Sequence, residues 1–187
     1  MKRRAGLICM EIGTVLIILA LFLFLYNKWE AARAQKASEE VAVLLEDEID
    51  DGDDDSSAGL DGNEYIGILT ISRYGLELPV MSEWSYAGLK IAPGRYSGSV
   101  EGNDLVICGH NYERHFGNLK NLETGDEIIF TEIDGNETCY QVNEVVILQP
   151  TDVEEMVSRK DGEWDLTLFT CTLGGQARVT VRCTKAD

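Results

Sequence analysis

Three regimes of apolar and polar residues follow one another along the chain. From Leu7 to Tyr26 almost every residue is apolar. Twenty residues at 1.5 Å rise each span the roughly 30 Å hydrocarbon core of a bilayer, so a transmembrane helix is expected there. Trp29 to Ile49 is rich in Ala, Glu, Lys and Leu and predicts a helical or partly helical stalk. Glu46 to Asp55 then carries eight acidic residues in ten, a run that repels itself and is expected to stay extended. From Asn63 onward the period changes. Short β-rich runs separated by turn residues predict strands at Tyr65–Ile71, Leu76–Val80, Asp104–Gly109, Asp126–Glu132, Thr138–Leu148, Asp165–Cys171 and Ala177–Cys183. Phe116–Leu122 and Asp152–Val157 read as single helical turns, and no βαβ alternation or phosphate loop interrupts the pattern. The economical architecture is all-β, an antiparallel barrel. The chain is expected to divide into an amino-terminal tail (1–6), a transmembrane anchor (7–26), a helical and acidic linker (27–62) and a β domain (63–187).

Charge sets sidedness and excludes a class of partner. Lys2-Arg3-Arg4 precede the apolar run and the acidic bulk follows it, so the positive-inside rule puts the amino terminus in the cytoplasm and the domain outside, as a single-pass protein of the cell membrane. A cleaved signal peptide is the alternative, since Ala32-Arg33-Ala34 offers a small-residue site, but the apolar run exceeds the usual signal core. A net charge of −17 argues against nucleic acid, which needs clustered Lys and Arg. The roughly 125 residues left after the anchor and acidic stretch suffice for one modest core.

Asp165-Leu-Thr-Leu-Phe-Thr-Cys171 is followed across Gly174-Gly175 by Arg178. A two-residue turn at the glycines would pair Leu173 with Gln176, Thr172 with Ala177 and Cys171 with Arg178, placing a thiol beside a permanent cation on one sheet face. Cations favour the thiolate, and an imidazole can shuttle its proton. The chain has two histidines. His110 follows the apolar run Leu105–Cys108 and a glycine, where a strand end aims it into a loop rim, whereas His115 sits in a polar stretch and is expected to be exposed. Arg182 would oppose Thr167 below the site, with a salt-bridged or exposed role. Cys108, Cys139 and Cys183 read as buried small hydrophobes, with one disulfide among them as an alternative. Asp51, Asp53 and Asp55 have the spacing of a calcium loop, but Ser56 and Gly62 stand where Gly and Glu belong. A zinc site from Cys108, His110 and Cys171 or Cys183 lacks any CxxC pair. No metal ligand set is assigned.

Thr167-Leu168-Phe169-Thr170-Cys171 matches the TLxTC signature of sortases, the cell-surface cysteine transpeptidases of Gram-positive bacteria. Ile107-Cys108-Gly109-His110-Asn111 resembles the strand end carrying their histidine, and Arg178-Val-Thr-Val their final strand, in the family's order His, Cys, Arg. The resemblance runs from about Glu64 to Lys185. It implies an eight-stranded sortase-type β-barrel with short helices in its connections, and catalysis by His110, Cys171 and Arg178. Cleavage of an LPxTG-like sorting signal would proceed through a Cys171 thioester and end with transfer to an amine of a cell-wall precursor or a pilin. No cofactor is implied, although some family members bind calcium. Ala92-Pro93-Gly94-Arg95 to Ser99 resembles a segment preceding the histidine strand in several sortases, so Pro93, Gly94, Ser99 and Thr170 are expected substrate contacts. The Leu148–Trp164 connection lies where the family's recognition loop lies. The class stays open: Gly109-His110-Asn111 and Phe116-Gly117-Asn118-Leu119 resemble class B, whose long helical insertion is missing, and no Asp-Pro-Trp or Asp-Pro-Phe lid motif occurs. A hydrolytic cysteine peptidase and a non-catalytic anchored β domain remain the alternatives.

Overall fold

A computed structural model describes residues 2–51, 57–60, 62–157 and 162–186. The chain forms two compact units, divided between Arg33 and Ala34. Helix α1 spans Lys2–Asp51; its first part makes up the first unit, and its residues from Ala34 belong to the second. In the first unit large apolar side chains from Met10 to Tyr26 are exposed all round, and the most apolar stretch has a mean hydropathy of 2.4. This is a helix long and apolar enough to cross a membrane.

The second unit is a closed barrel. Its strands are β2 (Asn63–Ile71), β3 (Leu76–Met81), β4 (Gly94–Ser97), β5 (Leu105–Gly109), β6 (Glu127–Glu132), β7 (Glu137–Leu148), β8 (Leu166–Cys171) and β9 (Arg178–Lys185). They run in the order β2-β3-β4-β5-β8-β9-β7-β6, and β6 pairs back onto β2, so eight strands close the ring as expected. A three-residue strand, β1 (Ala58–Leu60), adds a short ribbon to the start of β2. Most pairs are antiparallel; β5 and β8 run parallel over five residues. The seven strands read from the pattern are present with ends moved by one or two residues. β4 escaped the pattern because it is only four residues long and opens on Gly94 after Pro93. β7 continues as one strand through an irregularity between Val142 and Glu144.

Alternation builds the interior. Leu69, Ile71, Leu105, Ile107, Phe130, Tyr140, Leu166, Leu168 and Val181 fill the barrel. Outside it, Val106, Cys108 and Phe169 from β5 and β8 are covered by Leu148 and by Met156 of the one-turn helix α2 (Val153–Val157). Both faces of β5 and β8 are therefore buried, which is why their sequences are near-continuous apolar runs.

The second half of α1 corrects the expectation for the acidic run. Glu46–Asp51 is helical, while Gly52 to Asp55, with the Asp53 and Asp55 of the calcium-loop spacing, lies outside the described residues. Val41 and Leu45 explain why the helix persists: they pack on Tyr65, Ile68, Met81 and Ile133 of the barrel wall. Burying that stripe outweighs repulsion among the carboxylates of the run, of which Glu46 and Asp47 are exposed to solvent. No disulfide joins the cysteines; Cys108 and Cys183 are buried, Cys139 is half-buried, and Cys9 and Cys171 are exposed.

Leu45 is fully buried against the barrel. Leu45→Ala is expected to destabilise the second unit by about 2–5 kcal/mol, read as a lowered urea midpoint at unchanged slope. An unchanged midpoint would mean that the helix contributes nothing to this unit.

Candidate active site

The site follows from two registers. β5 and β8 run parallel with Gly109 beside Thr170, so the next residues, His110 and Cys171, leave adjacent strand ends in the same direction. β8 and β9 run antiparallel with Cys171 opposite Arg178. The fold thus gathers the three expected residues at one edge of the barrel. The buried Thr170 hydroxyl donates to the Gly109 carbonyl at 2.8 Å and pins the two strand ends together. Gly109 is needed there because a Cβ would lie 2.7 Å from the Phe116 ring. Substitution would push that buried ring, and the histidine loop with it, away from the strand.

The hairpin keeps the expected register with a different turn. The Gly175 N–H donates to the Thr172 carbonyl at 2.8 Å, so Leu173 and Gly174 are the central turn residues, with Gly174 at φ 90°. Positive φ at the second central position is the geometry that glycine supplies. The Thr172 N–H donates to the Ala177 carbonyl at 2.9 Å, and this bond preserves the Cys171–Arg178 opposition. The guanidinium of Arg178 is turned along its own hairpin, donating to the Gly175 and Ala177 carbonyls at 3.1 and 3.2 Å. Cys171 is exposed.

Cys171 and Arg178 line a groove of about 200 Å³. Its walls are Trp84, Tyr86, Tyr96, Phe169, Val153 and Met156. Trp84 stacks on Tyr96 with centroids 5.7 Å apart, and Tyr96 meets Phe169 edge-on at 5.3 Å. Sequence reasoning missed the aromatic wall; the signal was the density of rings in Trp84-Ser-Tyr86, in a loop that no periodicity assigns. Of the expected substrate contacts only Thr170 lines this groove. The Pro93 carbonyl accepts from the Met81 N–H at 2.9 Å, and Gly94 pairs with Met81 and Cys108 while leaving room for Trp84. Ser99 lines a separate cavity. Pro150, Val153 and Met156 of the Leu148–Trp164 connection do reach the groove.

Burial sorts the other titratable groups. Cys108 also faces the groove, but burial pushes its thiol up to about 12, so it stays protonated at neutral pH. Burial likewise raises the Cys183 thiol. Arg182 opposes Thr167 as expected; it bonds Glu144 at 2.6 Å and lies 4.1 Å over the Trp164 ring. Among the described residues no three His, Cys, Asp or Glu side chains cluster as metal ligands. His115 contradicts the expectation of an exposed loop residue: it is 1% exposed. Its polar neighbours in sequence misled, because the loop folds under and carries His115 inward beside buried Phe116.

Burial, and after it the nearby His110, lowers the His115 pKa to about 4, opposed slightly by the Ala34 backbone, which completes no hydrogen bond to the ring. An unfolded chain takes up this proton near 6.5 and the folded one only near 4, so stability falls as pH drops through that window. Relative to the parent, His115→Leu is expected to gain on the order of 3 kcal/mol in unfolding free energy between pH 7 and pH 4. Urea titrations of both proteins across that range check it. A pH-independent difference between them would contradict the assignment.

The family model described as the sortase domain matches residues 69–186. Among solved structures, sortase A from Corynebacterium diphtheriae aligns at 26% identity and a TM-score of 0.60, covering 67% of this chain and 62% of that one. A sortase C of Streptococcus pneumoniae, whose description concerns catalysis and pilin substrate specificity, aligns at 27% identity and a TM-score of 0.59, covering 66% and 67%. A sortase C1 from Streptococcus suis aligns at 28% identity and a TM-score of 0.56, covering 66% and 73%. Comparison with the curated proteins gave no match. The chain spans 62% of the length of the first of these structures. With the family model covering more than half of the chain, on a barrel whose strand ends carry the histidine, the cysteine and the arginine in the order read from the sequence, the chain belongs to the sortase family of cysteine transpeptidases.

Proposed function

We propose that this chain is a membrane-anchored transpeptidase in which His110, Cys171 and Arg178 carry the chemistry. The Cys171 thiolate attacks the threonine carbonyl of an LPxTG-like sorting signal. The following peptide bond breaks, His110 protonates the departing amine, and the acyl group remains on sulfur as a thioester. An amine from a cell-wall precursor or a pilin then attacks the thioester carbonyl, gives its proton to His110 and expels the thiolate. Arg178 donates to the oxygen on which negative charge develops. Its present acceptors are two carbonyls of its own hairpin, an exposed one of Gly175 and a part-buried one of Ala177 that Thr172 also bonds, and it can exchange them for the substrate oxygen. This reading requires no metal or cofactor.

The observation that carries the proposal is the pair of registers, Gly109 with Thr170 and Cys171 with Arg178. The aromatic and aliphatic groove leading to the exposed sulfur suits a peptide presenting an apolar side chain upstream of the scissile bond. In the same reading the apolar part of α1 crosses the cell membrane with Lys2-Arg3-Arg4 inside and the barrel outside.

Incubating the protein with a sorting peptide, with and without triglycine, and identifying products by mass tests the reaction and its acceptor. Ligated product is expected with the amine; hydrolysed product alone in both arms would make the chain a peptidase. Cys171→Ala is expected to remove turnover while leaving the melting temperature within a few degrees. Arg178→Lys is expected to lower kcat about 10²–10³-fold, because an ammonium cannot reproduce the planar guanidinium fork. A fully active Cys171→Ala protein would refute the proposal.

A further inference from the structure

The segment after β5 folds back on itself within eight residues. The Tyr112 carbonyl accepts from the His115 N–H at 3.0 Å and from the Gly117 N–H at 2.8 Å, and the Phe116 N–H donates to the His110 carbonyl at 3.1 Å. A Cβ on Gly117 would lie 2.7 Å from the Tyr112 carbonyl oxygen, so the turn closes this tightly only with glycine there. The fold-back stacks three rings in sequence. The His110 imidazole lies on the Tyr112 ring, centroids 4.4 Å apart and planes 16° from parallel. Tyr112 in turn meets the His115 ring at 5.6 Å and 62°. His115 is almost completely buried, and neither ring nitrogen completes a hydrogen bond. Its role in the described structure is therefore packing, and the ring it packs against is Tyr112.

We propose that Tyr112 is a positioning residue for His110, with the buried His115 ring holding Tyr112 in place. This rests on His110 being the proton carrier of the proposed reaction. The physical need is plain: His110 lies one residue past the end of β5, at the start of a loop, and its χ1 has three staggered wells. A proton carrier that must serve first the leaving and then the attacking amine cannot wander among them, since misplacement by an ångström costs on the order of 10²-fold in rate. A parallel ring face fixes the imidazole plane.

The test uses the full chain in detergent, as the parent and the Tyr112→Phe and Tyr112→Leu variants. With the sorting peptide, Tyr112→Leu is expected to lower kcat about 10–100-fold with KM within about twofold, and Tyr112→Phe, which keeps the ring, to restore kcat to within about threefold of the parent. Selective labelling of the two histidines gives the second readout. The His110 ring protons are expected to carry an upfield ring-current shift in the parent and the Phe variant that disappears in the Leu variant. Should the Leu variant fail to fold, Tyr112→Met supplies bulk without a ring face and carries the same expectations. A folded Leu or Met variant with parental kcat, or a Phe variant as impaired as the Leu variant, overturns the proposal, as does an unshifted His110 in the parent. Inactivity of the parent toward every sorting peptide would count against the functional reading instead, and the spectra alone would then decide the stacking.

Discussion

The in-register parallel pairing of β5 with β8 is the constraint on which the site depends. Parallel strands end on the same side, so the residues that follow Gly109 and Thr170 emerge together at one rim. The antiparallel return of β9 then adds Arg178 opposite Cys171. A slip of one residue in either pairing would turn the thiol toward the barrel interior and Leu168 out of it. Register thus sets the geometry of the candidate site, and burial of both faces of β8 makes such a slip costly.

The remaining structure holds that register. Parallel pairs need cover on both faces. Inside, the cover is the barrel core; outside it is Met156 of α2, Leu148 and the Trp84–Tyr96–Phe169 cluster. Met156 and the aromatic cluster also line the groove shared by Cys171, so one set of apolar contacts stabilises the central strand and shapes the surroundings of its end. Elsewhere on the wall the second half of α1 covers Tyr65 and Ile68, so the helix that begins as an apolar segment finishes as part of the domain core.

Much of this was legible because it is local. Strand periodicity, the Cys171–Arg178 opposition across a glycine turn and the glycine before His110 all depend on residues a few positions apart. The Gly174-Gly175 pair gave the right register even though the turn centres one residue earlier. What escaped depends on contacts between distant segments. Trp84 and Tyr96 meet only because β4 leaves room at Gly94. The burial of His115 comes from a loop tucked beneath the strand end, and polar neighbours such as Glu113 and Arg114 gave no hint of it. The acidic run reads as extended until Val41 and Leu45 find a wall to cover. At Pro93 and Gly94 the fold uses the backbone to extend the sheet, and Gly94 lets the Trp84 backbone approach closely.

The central claim is that sulfur and guanidinium act on one carbonyl. The most direct measurement is a crystal structure of the protein carrying a sorting-peptide mimic linked through a disulfide to Cys171, with a carbonyl at the scissile position. The account predicts that Arg178 leaves the Gly175 and Ala177 carbonyls and donates to that carbonyl oxygen at about 3 Å. A mimic lying along the aromatic groove with Arg178 still bonded to its own hairpin would contradict it.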